Sequence, residues 1–352
     1  MGLKKNVLYN TFLTTSLYIF QFITFPYVAR VLGVTNIGIC NFAQSIVQYF
    51  ILFAMLGVST LGVREIAKCN GNKEELNKVF SGIFQVNVLL TFILIVIYLL
   101  VIEFVPKLTP YRSLLYIGVL QIIFNTTSIE WLFKGLEDFK FIYIRSFWVR
   151  VCYVISIFIF IQTKSDYFLY YILTVGLIVV NGIINWVYGR SLVRFCWQPL
   201  KRSIILYLKP LLFLGSQVII TSLYTNFNVV YLGFLSGDRE VGYYTTATKI
   251  QTIIIAIFSA FTIVVMPRIS LLFENNDIQQ IKHLISKSFC LLYAFAFPTI
   301  IITEIFSPEI ISIISGNGYE LAIPVLRLAI PLILIIGIEQ ILIVQLLMPF
   351  GE

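Results

Sequence analysis

Apolar runs of about 20 residues recur along this chain from its first positions to its last, and they leave few folds open. LYNTFLTTSLYIFQFITF (8–25), VNVLLTFILIVIYLLVI (86–102) and YFLYYILTVGLIVVNGIINWV (167–187) show the pattern. A helix of about 20 residues crosses roughly 30 Å of hydrocarbon. Inside hydrocarbon every backbone polar group needs a partner within the protein, a condition that a helix meets along its own length. Hydrophobic residues make up 59% of the chain and charged ones 12%, with a mean hydropathy of +0.92. The excess is spread over the whole length, so one buried core cannot absorb it. The expected class is an all-α polytopic membrane protein. The first run lacks a small-residue cleavage site and further spans follow at once, so it is not read as a signal peptide.

Ten spans are expected, near 7–29, 37–62, 80–104, 112–133, 142–162, 167–189, 206–234, 240–265, 286–306 and 322–348. An even number puts both termini on one side. Seventeen Lys and Arg fall on that side and five (Arg30, Lys107, Arg112, Lys164, Arg239) on the other. The excess of positive charge faces the cytoplasm, which assigns the termini and the segments 64–79, 190–209 and 267–285 to it.

A constant shift of 204 residues pairs Lys5 with Lys209, Tyr27 with Tyr231, Gly33 with Gly237, Gly38 with Gly242, and Arg64 with Arg268. Hydrophobic bias does not produce matches of glycine and basic residues, so an internal repeat is expected. Six spans separate the two starts, which makes the repeats parallel. The expected organisation is an N-terminal lobe at 1–190 with spans 1–6, a basic amphipathic linker at 191–209, and a C-terminal lobe at 210–352 with spans 7–10. The second lobe is two helices short of the first, so the chain reads as a truncated copy, with its own transport competence in doubt.

No GxxxxGK[ST], HExxH or GxSxG motif occurs, and the reading is that of a protein that is not an enzyme. Glu74–Glu75 and Glu137–Asp138 lie in short loops beside lysines, and the one histidine, His283, is expected in a solvated loop. Five dispersed cysteines without a CxxC give neither a zinc site nor a disulfide framework. No cofactor is expected. The basic residues follow membrane topology, so no nucleic acid is expected either.

Polar residues within the spans carry more information. Asn41, Gln44, Ser45 and Gln48 follow i, i+3, i+4, i+7, one face of a helix. The 204-residue shift turns them into Thr245, Thr248, Lys249 and Thr252. Gln217, Thr221, Tyr224 and Asn228 form a further stripe. Two readings stay open: hydrogen bonds between helices, or a water-filled cleft between the lobes. An ionisable side chain within a span normally faces a cavity or a partner. Lys249 is about ten residues into its span, Arg30 and Arg327 stand near outer ends, and Glu339 lies about three turns inward from Arg327. Glu130 is expected to pair with Lys134 at i, i+4. Cationic groups without a cofactor motif suggest an anionic cargo, and phosphate or pyrophosphate suits Lys and Arg. Pro26 and Arg30 become Val230 and Phe234 under the shift, so turn-making does not require them. The proline can bend or end the first span. The arginine can serve the mouth of the cleft or anchor the outer interface.

PYVARVLGVTNIGICNFAQSIVQYF with GVSTLGVREIA, SIEWLFKGLEDFKFIYIRS and the ending LLMPFGE resemble segments of bacterial polysaccharide-unit flippases (O-antigen, Wzx-type). This family belongs to the multidrug/oligosaccharidyl-lipid/polysaccharide exporter superfamily. The resemblance runs from residue 6 to the end. It implies a MATE-like flippase architecture in the bacterial cytoplasmic (inner) membrane, moving a polyprenyl-pyrophosphate-linked oligosaccharide by alternating access for O-antigen or capsule synthesis. A polysaccharide polymerase and a chain-length regulator are the implied protein partners. On this reading Lys249, Arg30 and Arg327 hold pyrophosphate. Asn41, Gln44, Gln48, Gln217, Thr221, Tyr224, Asn228, Thr245 and Thr252 hydrogen-bond sugar, and Glu339 is the candidate coupling group. The alternatives are a cation-coupled multidrug antiporter, which needs a titratable carboxylate that the first span lacks, and a membrane polysaccharide polymerase or ligase, which needs a sizeable outer loop.

Overall fold

The computed structural model describes the backbone of residues 3–69, 71–275 and 277–347, and side chains from Ser16 onward except at 223–225, 263, 264, 267 and 274. No strand occurs among the described residues. Thirteen α-helices follow in order: α1 Leu3–Met55, α2 Val58–Lys68, α3 Lys73–Phe104, α4 Arg112–Thr127, α5 Glu130–Gly135, α6 Phe139–Phe160, α7 Tyr167–Leu192, α8 Leu200–Leu235, α9 Asp238–Glu274, α10 Ile278–Ile305, α11 Ser307–Ser315, α12 Ala322–Ala329 and α13 Leu332–Gln340. A π-helical segment, Ile341–Leu347, continues α13. Eight stretches of described residues are long and apolar enough to cross a membrane. The protein is an all-α polytopic membrane protein, as its composition requires.

The ten expected spans and these eight stretches cover the same chain. The stretch Ser16–Lys68 contains the first two expected spans, 7–29 and 37–62. The expected span 112–133 is divided between α4, with 16 residues, and α5, with 6, so neither part qualifies alone. The boundary between the first two expected spans falls in the gap expected between them, residues 30–36. Pro26 lies inside α1, and the break falls at Gly33, where φ is 75° and ψ is 168°. That conformation is readily open only to glycine. Its repeat counterpart Gly237 also has a positive φ, 103°. The segments read as loops are largely helical: α2 runs to Lys68, α3 begins at Lys73, and α9 runs to Glu274. His283 accordingly sits exposed on α10 rather than in a loop.

Local chemistry sets several helix starts. The Asn72 side chain accepts hydrogen bonds from the backbone N–H groups of Glu74 and Glu75 at 3.1 and 3.3 Å. These two acids also complement the positive end of the α3 dipole. Asp138 and Asp277 cap α6 and α10 in the same way, accepting from Phe141 and Gln280.

The contacts divide the chain into two compact units, 1–9 with 35–241 and 10–34 with 242–352. Residues 10–34 of α1 go with 242–352, and α8 goes with 35–241. In the larger unit α7 packs on α4 and α6, while α3 packs on α4 and α8. Its core holds Phe42, Val47, Tyr98, Leu115, Ile122 and Tyr171, and the buried Tyr98 hydroxyl donates to the Leu115 carbonyl at 2.8 Å. In the smaller unit Phe25 and Ala29 of α1 pack with Tyr243, Ala247, Ile250, Tyr319 and Leu326. Large apolar side chains such as Phe104, Trp148, Phe213 and Leu328 stand exposed, as a surface solvated by lipid requires.

Gly242 shows how tight the smaller unit is. A Cβ added there would lie 2.2 Å from the Val34 carbonyl oxygen, a backbone atom that cannot rotate away. Gly242→Ala is therefore expected to destabilise the protein by about 1–3 kcal/mol, read as a lower midpoint of unfolding in detergent.

Candidate functional site

In the smaller unit, Lys249 is half-buried on α9. Its ammonium lies 5.0 Å from the centroid of the Phe25 ring of α1, and Phe25 is itself buried. The electron-rich ring face attracts the cation and orients it without neutralising it. The threonines on this helix face already use their hydroxyl protons. Thr248 donates to the Tyr244 carbonyl at 3.0 Å, Thr252 to the Thr248 carbonyl at 2.8 Å, and Thr245 more weakly to the Gly242 carbonyl at 3.4 Å. The Thr248 and Thr252 oxygens each keep a lone pair and no proton to offer. Thr245 is buried, whereas Thr252 is exposed. The chemical offering of this face is one cation with hydroxyl oxygens arranged as acceptors.

Arg30 and Arg327 both engage α11. Arg30 is exposed, and its guanidinium donates to the Ile313 carbonyl in the last turn of α11. That carbonyl belongs to the negative end of the helix dipole, where a cation is stabilising. Arg327 donates to the Ser307 hydroxyl at 2.7 Å and lies 3.9 Å from the Glu304 carboxylate. Arg30 and Arg327 thus serve opposite ends of α11 and are not brought together. Glu339 is exposed near the end of α13. Its neighbour Gln340 joins α13 to α9 by donating to Ser259 at 2.8 Å.

In the larger unit, Gln44 and Gln121 exchange two amide hydrogen bonds of 3.0 and 2.9 Å, and Gln121 is fully buried. The helix–helix reading is the one realised at Gln44. Gln44→Leu is expected to cost about 1–3 kcal/mol, because it strands the Gln121 amide. Gln44→Leu with Gln121→Leu is expected to restore most of that loss, and unfolding midpoints of the three variants check it. Asn41 is half-buried, while Gln48, Gln217, Thr221 and Asn228 are exposed. The Thr221 hydroxyl donates to the Gln217 carbonyl at 3.1 Å. The Tyr224 side chain lies outside the described residues.

A polar network missed by the sequence reading lies where α4 gives way to α5. Arg145, counted by the topology rule as a charge at the cytoplasmic side, is buried in α6, its side chain 3% exposed. It donates to Glu130 at 2.6 Å, to Ser146 at 2.8 Å and to the Asn185 side chain. Asn185, fully buried on α7, donates in turn to the Ser128 carbonyl. The expected Glu130–Lys134 pair is present at 3.6 Å, but Arg145 is the closer partner. The next residue after Ser128, Ile129, has φ 36°. A β-branched side chain adopts that left-handed conformation only under constraint, and this network supplies one. The available signal was Asn185, a polar residue in the middle of an apolar run.

Residues 3–273 match the family described as "Polysaccharide biosynthesis protein", and residues 214–346 match the family described as "MatE". A protein of Escherichia coli (strain K12) named "Putative O-antigen transporter" is 27% identical over 99% of this chain and 84% of its own length. Proteins of the same name from Shigella dysenteriae and Shigella flexneri are 26% and 24% identical, over 76% and 91% of this chain and 67% and 78% of their own lengths. A solved structure designated protein A superposes with a TM-score of 0.60 at 12% identity, covering 99% of this chain and 84% of that one. This likeness speaks for the fold alone. With the first family covering most of its length, the chain belongs to the polysaccharide biosynthesis protein family, within the exporter superfamily that its sequence resembles.

Proposed function

We propose that this chain is a flippase that carries polyprenyl-pyrophosphate-linked oligosaccharide units across the bacterial cytoplasmic membrane by alternating access, for surface polysaccharide synthesis. Lys249 is the observation that carries the reading: a cation half-buried within an apolar helix and held against an aromatic ring. Such placement is costly unless it serves a pathway or a partner. Attraction between the ammonium and a pyrophosphate is far stronger in a partly dehydrated site than in water. The acceptor oxygens of Thr248 and Thr252 suit the hydroxyl protons of a sugar. Arg30 and Arg327, engaged with α11, are assigned a secondary part at most. A polymerase and a chain-length regulator are the protein partners this function calls for. Family membership and the relatives' names support the polysaccharide assignment.

Deleting the gene in its own host tests the function. Loss of surface polysaccharide with lipid-linked units accumulating in the inner leaflet, both reversed by resupplying the chain, is expected. Unchanged surface polysaccharide overturns it. A multidrug antiporter is the second reading, favoured by the match of residues 214–346 and by exposed Glu339. A drop in drug accumulation that depends on Glu339 would select it.

A further inference from the structure

The segment between α7 and α8 is not a slack linker. The Arg194 N–H donates to the Asn77 side chain at 2.7 Å, and the Cys196 N–H donates to the Ser81 hydroxyl at 2.8 Å. The Gln198 carbonyl accepts from the Gln85 amide at 3.2 Å. On α3, residues 77, 81 and 85 are spaced four apart, about 6 Å per step. Two extended residues advance about 6.6 Å. The strap therefore runs in register along one face of α3, with every second residue tied down. Of the intervening residues, Trp197 stands 85% exposed, while Phe195, 43% exposed, meets the Phe84 ring of α3 edge to face at 6.2 Å and lies 5.9 Å from the Trp197 ring. Ile205 and Leu206 continue the exposed apolar surface into α8.

Beside this strap is a cavity of about 450 Å³ walled by Phe80, Phe84, Trp186 and Phe195 and rimmed by Arg190 and Arg194. Its volume falls in the range of small-ligand sites. The Arg190 guanidinium lies 5.7 Å over the Trp186 ring. Both arginines are exposed, and neither forms an ion pair among the described residues. An aromatic hollow with two cations at its lip is complementary to a molecule with one apolar tail and one negative head. Exposed Trp and basic residues together belong at the membrane–water interface, so the bilayer itself supplies that molecule.

We infer that this strap and cavity form a binding site for an anionic phospholipid, its phosphate on Arg190 and Arg194 and part of an acyl chain against the aromatic wall. The inference does not depend on what the protein transports. The full chain is reconstituted in phosphatidylcholine nanodiscs with increasing phosphatidylglycerol, and retained lipid and Tm are measured. Phosphatidylglycerol is expected to be retained and to raise Tm. Arg190→Gln with Arg194→Gln is expected to weaken this binding about tenfold or more, with Tm in pure phosphatidylcholine unchanged. Lys201→Gln with Arg202→Gln, equal in charge change but off the rim, is expected to keep most of the response. Equal loss in both double variants overturns the site in favour of diffuse surface charge. So does an absence of preference for phosphatidylglycerol, reproduction of the Tm gain by inorganic phosphate, or selective retention of a polyprenyl pyrophosphate instead.

Discussion

Glu130→Ala is expected to destabilise the protein by about 3–5 kcal/mol, and by more than Arg145→Met. The asymmetry comes from burial. The Arg145 side chain is 3% exposed and that of Glu130 is 35% exposed. Removing the carboxylate leaves a guanidinium in the interior with only Asn185 and Ser146 to accept its protons. Removing the guanidinium leaves a carboxylate that reaches solvent and still has Lys134 at 3.6 Å, so about 1–3 kcal/mol is expected there. Glu130→Gln retains an oxygen that can accept from Arg145 and is expected to fall between the two. Unfolding midpoints in one detergent, with protein yield as a control, check the order. Glu130→Ala milder than Arg145→Met would mean that the network does not hold the break at Ile129 as described.

The spans were legible because their length and unbroken hydrophobicity answer directly to bilayer thickness. Their ends were less so. Lys73, Glu74 and Glu75 look like loop residues by composition, yet they form the first turn of α3 because Asn72 caps it. By the sequence, Pro26 is able to bend or end the first span. A proline mid-helix forfeits one hydrogen bond but does not reverse backbone direction, and the departure falls instead on Gly33. The polar face of Gln44 was legible as a face, but its partner Gln121 is 77 residues away, beyond any local spacing rule. Arg145 was obscured by the topology rule, which weighs a basic residue near a helix end by side and not by burial. The compact units could not be read from chain order either, since residues 10–34 join 242–352. The candidate cation was the clearest case. A lysine far inside an apolar run has few bland explanations, and it is found against an aromatic ring rather than reaching outward.

Lys249 provides the most direct test of the proposed transport. Its contact with Phe25 is worth about 0.5–2 kcal/mol, so Lys249→Met is expected to leave a folded protein with normal membrane levels. Lys249→Arg keeps the charge and the affinity for a ring face. The measurement is surface polysaccharide in a strain lacking its chromosomal copy and supplied with wild type, Lys249→Arg or Lys249→Met at matched protein levels. The expected result is export at least about tenfold lower for Lys249→Met, consistent with the loss of one charge-assisted interaction of about 1.5–3 kcal/mol, and substantial export for Lys249→Arg. Wild-type export by a stable Lys249→Met protein would contradict the assignment of the cargo's pyrophosphate to this lysine.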